Sequence, residues 1–422
     1  MARRRTHNGI HALEISGAFP AIWLWIAFCV ALASQAAAPA TSAPRPVLEA
    51  PPVSQEGQAT EGDVSGIIQA AVDAAGNTAA VVKLPAGTWP LAKAIVLRSN
   101  IALEGDARGT ILAPARVNAS APLLLQFPVG TTNVLVTNLV FEGGGIDFDN
   151  RNPLITATAC TRIEFDGVTV RNSRGIGLLL QGGMKSSGVR NSRFVNLGNH
   201  WKTTLNKADR IQGLVFCCGD GNSNNFATGN HFTDIGLDAL QIGDQFRFYA
   251  ASNVFELANN QFDTVPAPDY PAGIFILHSA KVEIMRNLIH NAAGNGIDAP
   301  GLQESLLSNN VVSGCGGCGI GLFLGYDGIR QTKRVAVVGN TILDNVQWKL
   351  SSFVGGITIA GGKPDDIFIS NNTVTDTRSH KTQAYGIQVR EQTQVSGLTI
   401  DRQNRLGGNR VAALAGAEYA TP

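Results

Sequence analysis

The stretch 287–322, NLIHNAAGNGIDAPGLQESLLSNNVVSGCGGCGIGL, carries one short pattern twice. An asparagine (Asn287, then Asn310) leads a strand of alternating apolar residues. A small residue followed by an aliphatic one (Gly296-Ile297, then Gly319-Ile320) opens a second strand. Working outward, the asparagine recurs at Asn172, Asn191, Asn230, Asn260, Asn340, Asn372 and Asn404, at intervals of 19 to 39 residues. Each interval holds one small-aliphatic pair, the others being Gly175-Ile176, Gly213-Leu214, Ala239-Leu240, Gly273-Ile274, Gly356-Ile357 and Gly386-Ile387. A fixed order at variable spacing describes a constant coil bearing loops of variable length. A coil of roughly 20–25 residues cannot bury its apolar face alone and must stack on its neighbours. Stacking also lets equivalent Asn side chains hydrogen-bond along the axis. The pattern predicts an all-β fold, a single-stranded right-handed parallel β-helix over residues 63–410.

The flanks read differently. Arg3, Arg4 and Arg5 precede an apolar run from Ala18 to Ala33 and small residues at Ala36 to Ala38, so residues 1–36 read as a signal peptide. The run is short for a membrane span, which needs about 20 apolar residues; after cleavage no stable span is expected, and the protein is expected to be secreted or periplasmic. Residues 37–62, with Pro39, Pro44, Pro46, Pro51 and Pro52, read as a solvated linker, and 411–422 as a tail. The 33 Lys+Arg nearly balance 32 Asp+Glu, which excludes a broadly basic surface for nucleic acid. Few charges (15%) and 47 glycines fit many short strands and tight turns.

One amphipathic helix precedes the strands: Val64, Ile67, Ile68, Ala71, Val72 and Ala75 share a face, and Gly76-Asn77 stops it. The run Ile68 to Ala75, then Val82-Lys83-Leu84-Pro85-Ala86-Gly87-Thr88-Trp89, Ile101-Ala102-Leu103-Glu104-Gly105 and Gly109-Thr110-Ile111-Leu112 resembles the pectate-lyase-like β-helix superfamily. These segments are similar to its N-terminal capping helix, its "LPAGTY" coil and its "LxGxGxxTIL" coil. The resemblance implies the β-helix fold, a capping helix and a saccharide groove on an outer strand face. It does not imply one activity, because the scaffold carries lyases, hydrolases, epimerases and non-enzymatic adhesins.

Alternation along each Gly-Ile strand turns aliphatic residues inward and the residues between them outward. The outward column reads Gly177, Val215, Gln241, Phe275, Asp298, Gly321, Thr358 and Gln388; just past the strands come Gln181, Cys218, Asp244, His278, Tyr326, Asp327, Lys363 and Glu391. Long intervals add Lys207, Arg210, Tyr270 and Arg330. An acidic sugar needs a cation for its carboxylate, aromatic faces for its ring, and acid and base groups at the scissile bond. The candidate catalytic residues are therefore His278, Asp298, Asp244, Lys207 and Arg210; the candidate binding residues are Gln241, Tyr270, Phe275, Tyr326, Asp327 and Arg330. Each has a plainer reading: Asp298 as a solvated strand residue, His278 as a turn residue, Asp244 as a turn cap, Lys207 and Arg210 as loop charges. Asp147 and Asp149 read as turn residues.

Three chemistries can be weighed. Gly236-Leu237-Asp238-Ala239-Leu240-Gln241-Ile242-Gly243 keeps only one carboxylate of the polygalacturonase "GDDCIAIG" pattern, and inverting hydrolysis needs an acid and a base. The "DPHE" run of mannuronan epimerases is absent. A lyase asks less: Lys207 or Arg210 neutralises the uronate carboxylate, His278 or a loop Lys abstracts the neighbouring proton, and Tyr270 or Tyr326 protonates the leaving oxygen. No cofactor is required. Calcium could replace the cation, with Asp238, Asp244 and Asp298 as oxygen ligands. The expected function is action on an acidic, uronate-containing polysaccharide, by β-elimination first; the alternatives are non-catalytic binding or assembly of a surface polysaccharide, or hydrolysis or epimerisation. Beyond the signal, five cysteines remain; Cys315-Gly316-Gly317-Cys318 is expected to close a local disulfide, leaving at least one thiol unpaired.

Overall fold

The computed structural model describes residues 46–50, 62–76, 78–115, 123–144, 152–198, 211–219, 221–243, 245–246, 249–251, 254–256, 271–347 and 353–418. Each turn of the chain lays down three strands, as in Gln303–Ser308, Val311–Ser313 and Ile320–Phe323. Among the described residues these stack into sheets of 13, 11 and 12 strands, each strand pairing in parallel with its counterpart one coil on. The molecule is a parallel β-helix.

The bend between the first two strands explains the asparagines. Asn309 and Asn371 sit at φ +54°, and the equivalent Gly229 and Gly339 at +64° and +69°. Only Gly and short polar residues adopt that left-handed region at low cost. The residue after each bend points inward and forms the ladder. Asn287 Nδ2 donates to Asn310 Oδ1 (2.9 Å), Asn310 to Asn340 (2.9 Å), Asn340 to Asn372 (2.9 Å) and Asn372 to Asn404 (3.0 Å). Each of these acceptor oxygens also takes the backbone N–H of the preceding ladder residue.

The ladder does not include all the expected members. Asn191 is the left-handed bend residue (φ +50°), and Ser192 takes the inward place, its N–H donating to Asn230 Oδ1 at 3.0 Å. Asn172 lies one bend later, where its Oδ1 accepts from Asn196 (2.9 Å). Asn260 lies outside the described residues. The first small-aliphatic pair is likewise displaced: Leu178 aligns with Leu214, so the pair is Gly177-Leu178 and the outward residue is Leu179, not Gly177.

Inside, like residues stack in columns: Ile297, Ile320, Ile357 and Ile387 from one sheet, Val312, Ile342 and Val374 from another, all fully buried. Phe194 and Phe232 stack at 4.9 Å. Each such side chain contributes about 1.5–3 kcal/mol. The helix Ser65–Ala74 buries Ile68 and Val72, and Asp63 Oδ1 accepts N–H groups from both Ser65 (2.9 Å) and Ala92 (3.0 Å), tying its start to the first coil. The strand Val47–Glu49 pairs with Val81–Lys83, so the folded unit reaches back into the stretch read as linker. No helix among the described residues is long and apolar enough to cross a membrane.

Candidate functional site

Register places Val215, Gln241, Phe275, Asp298, Gly321, Thr358 and Gln388 side by side on successive strands of the 12-stranded sheet. Their inward neighbours are core aliphatics, so this column is the outer face, as the alternation predicts. Gln241 to Gln388 spans five strand spacings, about 24 Å. The outer face of the 13-stranded sheet is different in kind. Several of its charges pair with one another, Arg190 with Glu164 (2.7 Å), Arg334 with Glu304 and Lys333 with Asp365 (3.2 Å).

Five of the expected residues meet around the loop that follows Ile320–Phe323. Tyr326, 71% exposed, holds its ring 5.8 Å from that of Phe275. Asp327 shapes the loop: its Oδ1 accepts the N–H groups of Ile329 and Arg330, both at 2.9 Å. Those backbone donors hold its carboxyl below the usual range. Arg330 Nε lies 3.7 Å from Asp327 Oδ2, and His278 Nε2 lies 3.7 Å from Oδ1. A Cβ at Gly325 would come within 2.7 Å of that nitrogen, so glycine there makes room for the ring. His278 Nε2 is buried and faces this loop, not the open groove.

Asp298 is not the solvated strand carboxylate that alternation alone implies. It points outward yet is buried. Oδ2 accepts from Asn295 Nδ2 at 2.9 Å, while Oδ1 is buried with no hydrogen-bond partner. Burial raises its pKa to about 6 against the opposing pull of the Asn295 bond. Cys318 stands beside it, its thiol donating to Asn295 Oδ1 at 3.2 Å. Next along, Gly321 lies between the Cys318 sulfur and the Phe323 ring, with no room for a side chain. His278 is one strand away and three residues along, about 10 Å by strand geometry. Asp298 and His278 share no hydrogen bond.

The model of the right-handed beta helix region matches residues 129–299 and 248–411. The chain belongs to that family. By sequence, no curated protein matches it. Among solved structures it is similar to the A-module of a mannuronan C-5 epimerase of Azotobacter vinelandii (17% identity, TM-score 0.63, 86% of this chain and 97% of that one). It is similar to a tailspike mutant of the E. coli bacteriophage HK620 in complex with a pentasaccharide (17%, 0.58, 87% and 70%). It is also similar to the catalytic unit of an α-1,3-glucanase of Streptomyces thermodiastaticus (14%, 0.53, 83% and 66%). At these identities the likeness establishes the fold.

The right-handed β-helix carries further groups on this face that the sequence reading passed over. Phe323 and Phe353 pair at 4.8 Å, and Arg390 sits over Phe353 at 5.1 Å, a place where aromatic rings meet a cation. Gln388 Oε1 accepts the N–H groups of Val354 (3.0 Å) and Gly355 (3.2 Å). Thr358 and Gln388 were legible from the Gly-Ile register, whereas Phe353 comes from a loop with no repeat. Gln241 accepts from Gln212 Nε2 at 2.6 Å. Asp244, Lys207, Arg210 and Tyr270 lie outside the described residues, as do Asp147 and Asp149.

Of the three expected calcium ligands, Asp238, Asp244 and Asp298, the second lies outside the described residues. Asp238 Oδ1 accepts the N–H of Ala272 (2.8 Å), and no group of three or more His, Cys, Asp or Glu among the described residues is placed to hold a metal. The cysteine expectation is corrected. Cys315 and Cys318 are free: one thiol turns into the core toward Ser313 O (3.6 Å), the other toward Asn295. Burial pushes the Cys315 thiol up to about 12 and raises the Cys318 thiol well above its ordinary value. The bonded pair is Cys217–Cys218 instead.

Proposed function

We propose that this right-handed β-helix protein is exported and carbohydrate-active, taking an acidic polysaccharide along the outer face of its 12-stranded sheet. The observation that carries the reading is the Phe275–Tyr326 ring pair, with Arg330 in the same loop as Tyr326 and held by Asp327. An amphipathic aromatic and a guanidinium suit the apolar face and the carboxylate of a uronate ring. The Phe323–Phe353–Arg390 group repeats that combination further along the face. Support also comes from relatives in fold whose names refer to mannuronan, a bound pentasaccharide and an α-1,3-glucan.

The chemistry proposed first is β-elimination. Arg330 neutralises the uronate carboxylate, a base takes the proton beside it, and Tyr326 or protonated Asp298 gives a proton to the leaving oxygen as the glycosidic bond breaks. Of the bases considered, His278 acts only if the loop 324–330 lifts off Nε2; Lys207 is the other. The burial of both His278 Nε2 and Asp298 Oδ1 favours a second reading, in which the face binds a polymer without cleaving it. Protein starting near Ala37 is incubated with uronate and neutral polysaccharides, following ultraviolet absorbance of unsaturated uronate together with new reducing ends. Both signals rising supports elimination, and reducing ends alone mean hydrolysis. Binding without either supports the second reading. No binding to any polymer overturns both.

A further inference from the structure

The turn after the strand Leu214–Cys217 places a disulfide between neighbours, Cys217–Cys218, on the face just described. Register sets Cys217 between Gln181 and Gly243 in the second outward column of the 12-stranded sheet, with Leu277 two strands on, about 10 Å away. Cys218 is exposed and adopts φ +63°. The turn is clasped from the previous coil, because Gly182 N–H donates to both Cys217 O (3.2 Å) and Cys218 O (2.9 Å). A Cβ added at Gly219 would come within 2.9 Å of Gly182 Cα, so the turn lies flat on glycine. Gly243 contributes no side chain at the neighbouring position. Cys217 is itself 8% exposed, while the other described cysteines, Cys160, Cys315 and Cys318, are buried free thiols.

We propose that the Cys217–Cys218 disulfide is a saccharide subsite of this face, a flat sulfur platform for the C–H side of a sugar ring, and that reduction abolishes it. Sulfur is soft, polarizable and weakly solvated, as such a contact requires. A dithiol reductant delivers two electrons and two protons: the S–S bond opens, both cysteines become thiols, and the reductant closes its own disulfide. The subsite rests on the polysaccharide reading of the face.

The test measures binding of sodium alginate and sodium polygalacturonate to the protein as purified, after dithiothreitol, after reoxidation, and in a Cys217→Ser/Cys218→Ser double variant and Tyr326→Ala. Alkylation with mass spectrometry and the melting temperature accompany each state. The expected result is no labelling of Cys217 or Cys218 before reduction, then binding weakened about fivefold by reduction and in the double variant, restored on reoxidation, with melting unchanged. Labelling of both cysteines before reduction overturns the proposal. So does unchanged affinity on reduction while Tyr326→Ala weakens binding, or a loss matched by a fall in melting temperature, which marks a staple only. If neither polymer binds in any state, the uronate reading falls and the subsite with it.

Discussion

Asp298 has one oxygen satisfied by Asn295 and one buried with no partner, and its environment favours the protonated form. Burial raises its pKa from 3.8 to about 6. Because the folded value is the higher one, the unfolded chain loses this proton first as pH rises. Stability from Asp298 is fully present below about pH 4 and is lost progressively up to about pH 6, by as much as about 3 kcal/mol. Asp298→Asn should therefore melt higher than the parent at pH 8 and level with it at pH 4, by differential scanning calorimetry. A parent and variant with the same pH dependence would refute this. If Asp298 also supplies a proton to the leaving group, the stabilised variant loses turnover while keeping affinity. Its position on the outer face was legible from alternation. Its burial was not, since that depends on Asn295 and Cys318, which belong to turns outside the strand pattern.

At the scale of elements, two devices carry the argument, the Asn ladder and the loop 324–330. Asn340 is buried, accepting from Asn310 and donating to Asn372 and to Leu307 O. Asn340→Ala leaves several buried groups unpaired and should cost about 3 kcal/mol in urea unfolding. Asn191→Gly, by contrast, should stay within about 0.5 kcal/mol, because that site asks for a left-handed backbone that glycine supplies. Equal costs would mean that the ladder is misassigned. The sequence marks bends and ladder alike with Asn, so the spacing found the coils but not which Asn of a doublet points inward. In the loop, Asp327 takes two backbone N–H groups and so fixes Tyr326 and Arg330. Asp327→Ala should speed hydrogen exchange over 325–330 and weaken polymer binding nearly as much as Arg330→Ala. An exchange-neutral Asp327→Ala would show that the carboxylate does not organise the loop. Tyr326→Ala, at an exposed site, should weaken binding about fivefold to tenfold with melting unchanged; unaltered binding would remove Tyr326 from the face.

Over the whole molecule, stacking makes stability a sum over coils and neighbour contacts. The same stacking turns one repeated outward position into a continuous face about 24 Å long. That face was legible because strand period and coil order are local properties of the chain. Which groups on it pair, and which stay available, is not local: Arg390 finds Phe353, while Cys315 and Cys318, close in sequence, stay unbonded. The formal charge is +1 for the full chain. Attraction for an acidic polymer must then come from local cations such as Arg330 and Arg390, and not from an overall field. The central claim is that the polymer lies on the 12-stranded face. Hydrogen–deuterium exchange with and without a bound uronate polymer tests it most directly. Protection is predicted in peptides covering 240–243, 274–278 and 320–330, with none added across the ion-paired strands 303–308 and 333–338. Protection confined to those ion-paired strands would contradict the account.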